Sequence, residues 1–205
     1  MAPDLCRAMA AEVDGRGRGE VSRRVEGVVD GGCPSGGVVV HRRAGEADVG
    51  TLVALRDGAA RWQLARGIDQ WKPGEMGEEH FRRRLVEGEV WLASLGEKGP
   101  VVGAWELWWE DPGAWGEQPP VSGYVHRLMV DRELAPRGTG RLLLERAERR
   151  IAAAGRELCR LDCVAHNPRL REYYVAAGYT VVGEQPAKQG KGGKSYAVTL
   201  LEKRL

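Results

Sequence analysis

Apolar and polar positions along this chain switch between two periods, and the switches mark out strands and helices. Residues 38–42 are a short β-branched run that predicts a strand. Over 47–66, Val49, Leu52, Val53, Leu55 and Trp62 recur at helical spacing, with a break expected near Gly58. Residues 78–85 predict a further short helix. Segments 90–95 and 101–109 read as strands joined by Gly96-Glu97-Lys98-Gly99, a hairpin signal. Residues 111–120 contain three prolines and predict a loop.

The second half is more regular. Residues 124–130 predict a strand, and a glycine-rich turn follows at 137–140. The next helix carries Leu143, Leu144, Ala147 and Ile151 on one face and stops at Gly155. Residues 158–164 predict a strand. Asn167-Pro168 then opens a helix, with Asn as the cap and Pro in the first turn, and Gly178 ends it. Strands at 179–183 and 196–201 flank a Lys/Gly-rich turn. A strand–helix–strand unit over 124–164 implies a right-handed crossover and parallel pairing. The fold class is therefore α/β (α+β), a single mixed central sheet with flanking helices, over residues 37–205. Residues 1–36 are rich in Gly, Arg and small polar residues and predict a weakly ordered extension, in which Val25, Val28 and Val29 suffice for one short helix.

Composition narrows the function classes. The chain has 205 residues, 42% hydrophobic and 29% charged, enough for one core. A net charge of +2 gives no basis for nucleic-acid binding through phosphate neutralisation. No apolar run approaches the roughly 20 residues of a membrane span, and the N-terminal segment lacks a signal peptide's apolar core. A cytoplasmic protein is expected. Cys6, Cys33, Cys159 and Cys163 form no disulfide framework. On a strand, Cys159 and Cys163 stand about 13 Å apart, so they cannot share a tetrahedral ion with His166, and no metal is expected.

The turn at 135–141, Ala-Pro-Arg-Gly-Thr-Gly-Arg, is built to cradle an anion. Its glycines allow close backbone approach, and amides at a helix start converge where the dipole favours negative charge. Arg137 and Arg141 add charged donors. A dinucleotide fingerprint needs a third glycine where Leu143 stands. The later Gly-Lys-Gly-Gly-Lys-Ser at 190–195 lacks the first glycine of a P-loop, since that position is Lys188.

Three linked pieces resemble the GNAT family of N-acetyltransferases: the strand ending Leu128-Met129-Val130, the Gly138-x-Gly140 turn with its helix, and the segment 167–179. In that segment Asn167, Leu170, Tyr174, Gly178 and Tyr179 fall in the family's register. The family's usual Gln or Arg at the turn's opening is Ala135 here. The resemblance implies an acyl-CoA-binding fold with acetyl-CoA as cosubstrate. Pro136, Arg137, Gly138, Thr139, Gly140 and Arg141 would hold its pyrophosphate. The backbone of Leu128, Met129 and Val130 would hold the pantetheine arm, one N–H acting as an oxyanion donor. Asn167 would contact the arm, and Tyr174 would protonate the departing thiolate as general acid. Tyr173 points elsewhere.

The family often places a Glu on the strand at 124–130, and this chain has none. By alternation Tyr124, His126, Leu128 and Val130 share one face. His126, or Glu106 on the neighbouring strand, is the candidate base. Alternation also sets Trp105 and Trp109 opposite Glu106 and Trp108. Trp71, Glu106 and Trp108 are the candidate acceptor residues, because an aromatic pocket with a carboxylate suits a cationic amine. The expected activity is acetyl transfer from acetyl-CoA to a primary amine of a small molecule by direct attack on the thioester. Alternatives are a protein or peptide N-acetyltransferase and a non-catalytic acyl-CoA-binding module; a homodimer is left open.

Because the composition of residues 1–36 does not support a packed core, deleting them is expected to leave solubility and acetyl-CoA-dependent thiol release intact. An insoluble truncation would show that the segment packs on the domain.

Overall fold

The computed structural model describes residues 38–189 and 195–205. The expected extension at 1–36 and the Lys/Gly turn at 190–194 lie outside these residues. Strands β1 (Val39–Arg43), β2 (Glu89–Leu95), β3 (Val101–Trp108), β4 (Ser122–Val130), β5 (Leu158–Val164), β6 (Thr180–Gln189) and β7 (Ser195–Arg204) form one sheet, ordered β1-β2-β3-β4-β5-β7-β6. Only β4 and β5 pair in parallel, and the 139–153 helix between them makes the expected crossover.

The helices are α1 (Val49–Leu64), α2 (Glu78–Glu87), α3 (Pro112–Trp115), α4 (Thr139–Ala153) and α5 (Pro168–Ala176). Apolar residues of the sheet divide between two clusters. On one face Trp91, Trp105, Leu107 and Val125 pack with Leu143, Leu144, Ala147 and Ile151 of α4 and Tyr174 of α5. On the other, Val90, Leu92, Ala104 and Met129 pack with Val49, Leu52 and Leu55 of α1 and Phe81 of α2. Trp109 joins the α4 face with Trp105, as alternation predicts. No helix among the described residues is long and apolar enough to cross a membrane.

Several expectations are corrected. Helix α1 runs unbroken through Gly58, where a Cβ would meet only the tip of Arg61, so the half-buried glycine does not break the helix. Within the expected 111–120 loop, Pro112 starts the single turn of α3, closed by the amide of Trp115 donating to the carbonyl of Asp111 at 2.9 Å. Strands β6 and β7 extend beyond their expected ends, with irregular register near Val181 and Lys188.

The largest correction concerns β4. Register against β3 shifts between Ala104 and Glu106, which face Met129 and His126. Two β4 residues, Arg127 and Leu128, therefore stand opposite Trp105 alone, a β-bulge. Arg127 has φ +47°, the one positive value outside glycine among the described residues. Past the bulge the faces exchange: Leu128 and Val130 join the α4 cluster, and Met129 joins the α1 cluster. His126 and Tyr124 thus do not share a face with Leu128 and Val130.

Close helix–sheet approach depends on glycine. A Cβ at Gly123 of β4 would stand 2.5 Å from Ile151 Cγ1, and one at Gly103 of β3 would stand 2.7 Å from Leu143 Cδ1. Gly123→Ala is therefore expected to push α4 off the sheet and destabilise the fold by about 1–3 kcal/mol. Denaturant melts would register this; unchanged stability would mean that α4 sits less tightly than described.

Candidate active site

The site forms where β4 and β5 part. Their pairing is limited to Ser122, Gly123 and Tyr124 against Leu158, Cys159 and Arg160. Beyond that point the two strands leave a gap flanked by His126 and the bulge on one side and Asp162 on the other.

On the α4 face the gap meets the turn before the helix. Gly138 caps α4 in the left-handed region at φ +87°. Thr139 is buried, and its hydroxyl donates to the carbonyl of Pro136 at 2.8 Å, which ties the turn down. The amides of Arg137, Gly138 and Gly140 make no backbone hydrogen bond among the described residues, so they remain free for an anion at a helix start. A Cβ at Gly140 would stand 3.1 Å from the Tyr173 hydroxyl, 3.7 Å from Val130 and 3.8 Å from Leu128. Tyr173 therefore reaches the cradle, a placement its position beside Tyr174 did not reveal. Arg137 is exposed beside the turn. Arg141 instead donates to Glu145 at 2.8 Å, which raises its pKa.

Tyr174 is buried against Tyr179 and Tyr173 on this same face. Burial, with the negative charge of Asp162 among lesser causes, pushes its phenol well above the ordinary value. Asn167 caps α5, its Oδ1 accepting from the amide of Leu170 at 3.1 Å; Nδ2 is the group left to donate to a ligand. Cys159 and Cys163 are buried free thiols, raised by burial to about 12 and about 11.

The opposite face carries the polar cluster. His126 Nε2 lies 3.2 Å from Asp111 Oδ2. Both atoms are buried and neither has an aligned hydrogen-bond partner, so the two groups sit in close polar contact. Trp108 stacks on the imidazole at 4.0 Å. Burial alone would raise the pKa of Asp111, but contact with His126 and the nearby Lys188 ammonium outweigh it and hold the carboxyl below its usual range. Lys188 Nζ lies 2.5 Å from Asp162 Oδ1 and 3.7 Å from Asp111 Oδ2. Asp111, His126 and Asp162 each offer one ligand atom, all within 4.8 Å of one another, a donor set suited to a cation. The lysine ammonium meets that charge here.

Glu106 faces His126 in the β3–β4 register and shares Trp108 with it. It is wholly buried, and its Oε2 accepts from Arg127 at 2.6 Å and from Trp108 Nε1 at 3.2 Å. Its Oε1 is buried without a hydrogen-bond partner among the described residues. The expected aromatic pocket is corrected. Trp71 and Trp108 lie on the expected face, but Arg56 covers Trp71 at 4.3 Å and Arg84 covers Trp108 at 4.2 Å. The protein's own guanidinium groups take the cation seats on these rings.

Asp111, Asp162, Lys188 and Arg127 were not singled out from the sequence. Alternation along β5 did carry a signal for Asp162, since Cys159 and Cys163 face the core on the other side. Nothing local indicated that α3 would bring Asp111 to His126.

The acetyltransferase (GNAT) domain family model matches residues 63–199. The chain belongs to the GNAT acetyltransferase family. YesJ of Bacillus subtilis, an uncharacterized N-acetyltransferase, is 29% identical over 66% of this chain and 78% of that protein. A GNAT-family acetyltransferase from Listeria monocytogenes superposes with TM-score 0.66 at 26% identity, over 83% of this acetyltransferase and 97% of that one. The yncA protein of Salmonella typhimurium, solved with its cofactor acetyl-CoA, shares the fold at TM-score 0.56 and 18% identity, over 82% of this chain and 94% of that one.

If the 137–141 amides cradle the cosubstrate's pyrophosphate, acetyl-CoA raises the melting temperature of the wild type. Gly138→Ala, which strains a left-handed position but adds no charge, is expected to keep part of the shift. Gly138→Glu is expected to abolish it. An equal shift in the Glu variant would move the anion site elsewhere.

Proposed function

We propose that this acetyltransferase moves the acetyl group of acetyl-CoA to the primary amine of a small molecule, by direct attack within the gap between β4 and β5. The observation that carries this reading is the placement of two proton-handling groups around one opening. Tyr174 lies on the α5 face, and the His126–Asp111 pair lies on the other.

The chemistry requires this separation. The acceptor nitrogen must lose a proton, and the sulfur must gain one as the C–S bond breaks. The His126–Asp111 pair takes the amine's proton, with the buried Asp111 carboxylate stabilising the imidazolium that forms. Tyr174 supplies a proton to the sulfur; burial favours its neutral form, which is the form that donates. Of the backbone amides of Leu128 to Val130, beside the bulge, one stabilises charge on the thioester oxygen. Arg137, Gly138, Thr139 and Gly140 bind the pyrophosphate, and Asn167 Nδ2 donates to the pantetheine arm.

The acceptor face supports a small molecule rather than an extended peptide. Arg56 and Glu106 are fully buried and Asp111 is 5% exposed, so the polar groups lie beneath the surface rather than along an open groove.

Tyr174→Phe keeps the ring that packs in the core and removes only the hydroxyl. Its kcat is expected to fall by about 10²–10⁴, the usual scale for general acid catalysis, with acetyl-CoA affinity little changed. Tyr173→Phe, by contrast, is expected to raise KM for acetyl-CoA and change kcat only a few-fold. Steady-state kinetics on an amine panel, with products read by mass, separates the two. Near wild-type kcat in Tyr174→Phe would return that residue to a packing role.

A further inference from the structure

The polar cluster on the acceptor face already contains a primary amine. Lys188 projects from β6 beside a register irregularity between Gln185 and Lys188. Its Nζ lies 2.5 Å from Asp162 Oδ1 on β5, across the gap from β4. It also lies 3.7 Å from Asp111 Oδ2, the oxygen that approaches His126 Nε2 at 3.2 Å. The side chain is only 14% exposed, so it is inserted into the site rather than swept through solvent. A lysine placed merely to neutralise Asp162 would satisfy the charge at any approach to that carboxylate. This one stands within one oxygen atom of the imidazole proposed to deprotonate amines, at the strand opening where the thioester is proposed to lie.

We infer that Lys188 is an internal acceptor, acetylated by the enzyme's own active site. The inference rests on the assignment of His126–Asp111 and Tyr174 made above. The Lys188 nitrogen forms a bond to the acetyl carbon of acetyl-CoA, and the C–S bond breaks with its electron pair leaving on sulfur. Both protons lost by the ammonium pass through Asp111 and His126 to solvent. Sulfur takes one proton from Tyr174, whose phenolate is reprotonated from solvent, so one proton is released net. The products are an Nε-acetylated Lys188 and free CoA thiol. No oxidant, metal or second protein is needed.

The modification has a consequence for the site. Acetylation neutralises the cation that faces both Asp111 and Asp162, leaving the two carboxylates facing an uncharged amide.

The test is incubation of the full-length protein with acetyl-CoA alone, followed by intact mass and peptide mapping over time. One acetyl group is expected on Lys188, ahead of Lys72, Lys98 and Lys203. The rate is expected to be first order and independent of protein concentration, and Tyr174→Phe is expected to slow it at least tenfold. Lys188→Arg, which keeps a cation there, is expected to abolish the rapid phase. An unmodified Lys188 overturns the inference, as does a rate that rises with protein concentration or one that is equal in Tyr174→Phe. Turnover of external amines, measured on the same variants, reports separately on the acid–base assignment. Loss of external turnover in Tyr174→Phe with no Lys188 acetylation in wild type would sink this inference and leave that assignment standing.

Discussion

The ion pair between Arg127 and Glu106 holds the rest of the site in place. Arg127 occupies a left-handed conformation that costs a non-glycine residue about 1–2 kcal/mol, and Glu106 is a carboxylate with no exposure to water. Each compensates the other: the 2.6 Å contact gives the buried charge its partner and fixes the strained residue. Removing Arg127 would strand the buried Glu106 charge, a strongly destabilising change. The bulge that results exchanges the two faces of β4, so that His126 faces the acceptor side while Leu128 and Val130 line the cradle side. It also adjoins the place where β4 stops pairing with β5.

Two further constraints align the halves of the site with that gap. Gly123 and Gly103 let α4 approach closely, and Gly140 lets its first turn sit over Leu128 and Val130. The amides at the start of α4 are thereby aimed along the opening. On the other face, arginines cover the tryptophans: Arg56 on Trp71, Arg84 on Trp108, Arg160 on Trp115. These stacks occupy the rings with the protein's own cations, while Lys188 meets the carboxylates of Asp111 and Asp162. Tyr174 and His126 are thus separated by the sheet itself, which keeps Tyr174 among apolar neighbours and His126 among charged ones.

Much of this was legible in the sequence because it follows short-range rules. The turn at 137–140, the Asn167 cap with Pro168, the alternation separating Trp105 from Trp108, and the parallel crossover all depend on residues close together along the chain. The bulge was not legible. Residues 124–130 read as an uninterrupted strand, and only the buried pairing of Arg127 with Glu106, 21 residues away, forces the change of register. The same distance in sequence hid the role of Asp111, which reaches His126 through a single helical turn inside what reads as a proline-rich loop. The partner of Glu106 was hidden for a related reason: nothing near it in sequence shows that Arg127 meets its carboxylate. The cation seats on Trp71 and Trp108 likewise could not be seen as filled without knowing which arginines fold over them.

On the proposed mechanism the gap between β4 and β5 holds the thioester between Tyr174 on one face and His126 on the other, and a crystal structure of the acetyl-CoA complex would show it. The sulfur is expected about 3–3.5 Å from the Tyr174 hydroxyl, a distance that permits reaction, with the pyrophosphate on the amides of Arg137, Gly138 and Gly140 and the acetyl group directed toward His126 and Asp111. A sulfur held away from Tyr174, or an acetyl group directed toward the α4 face, would contradict it.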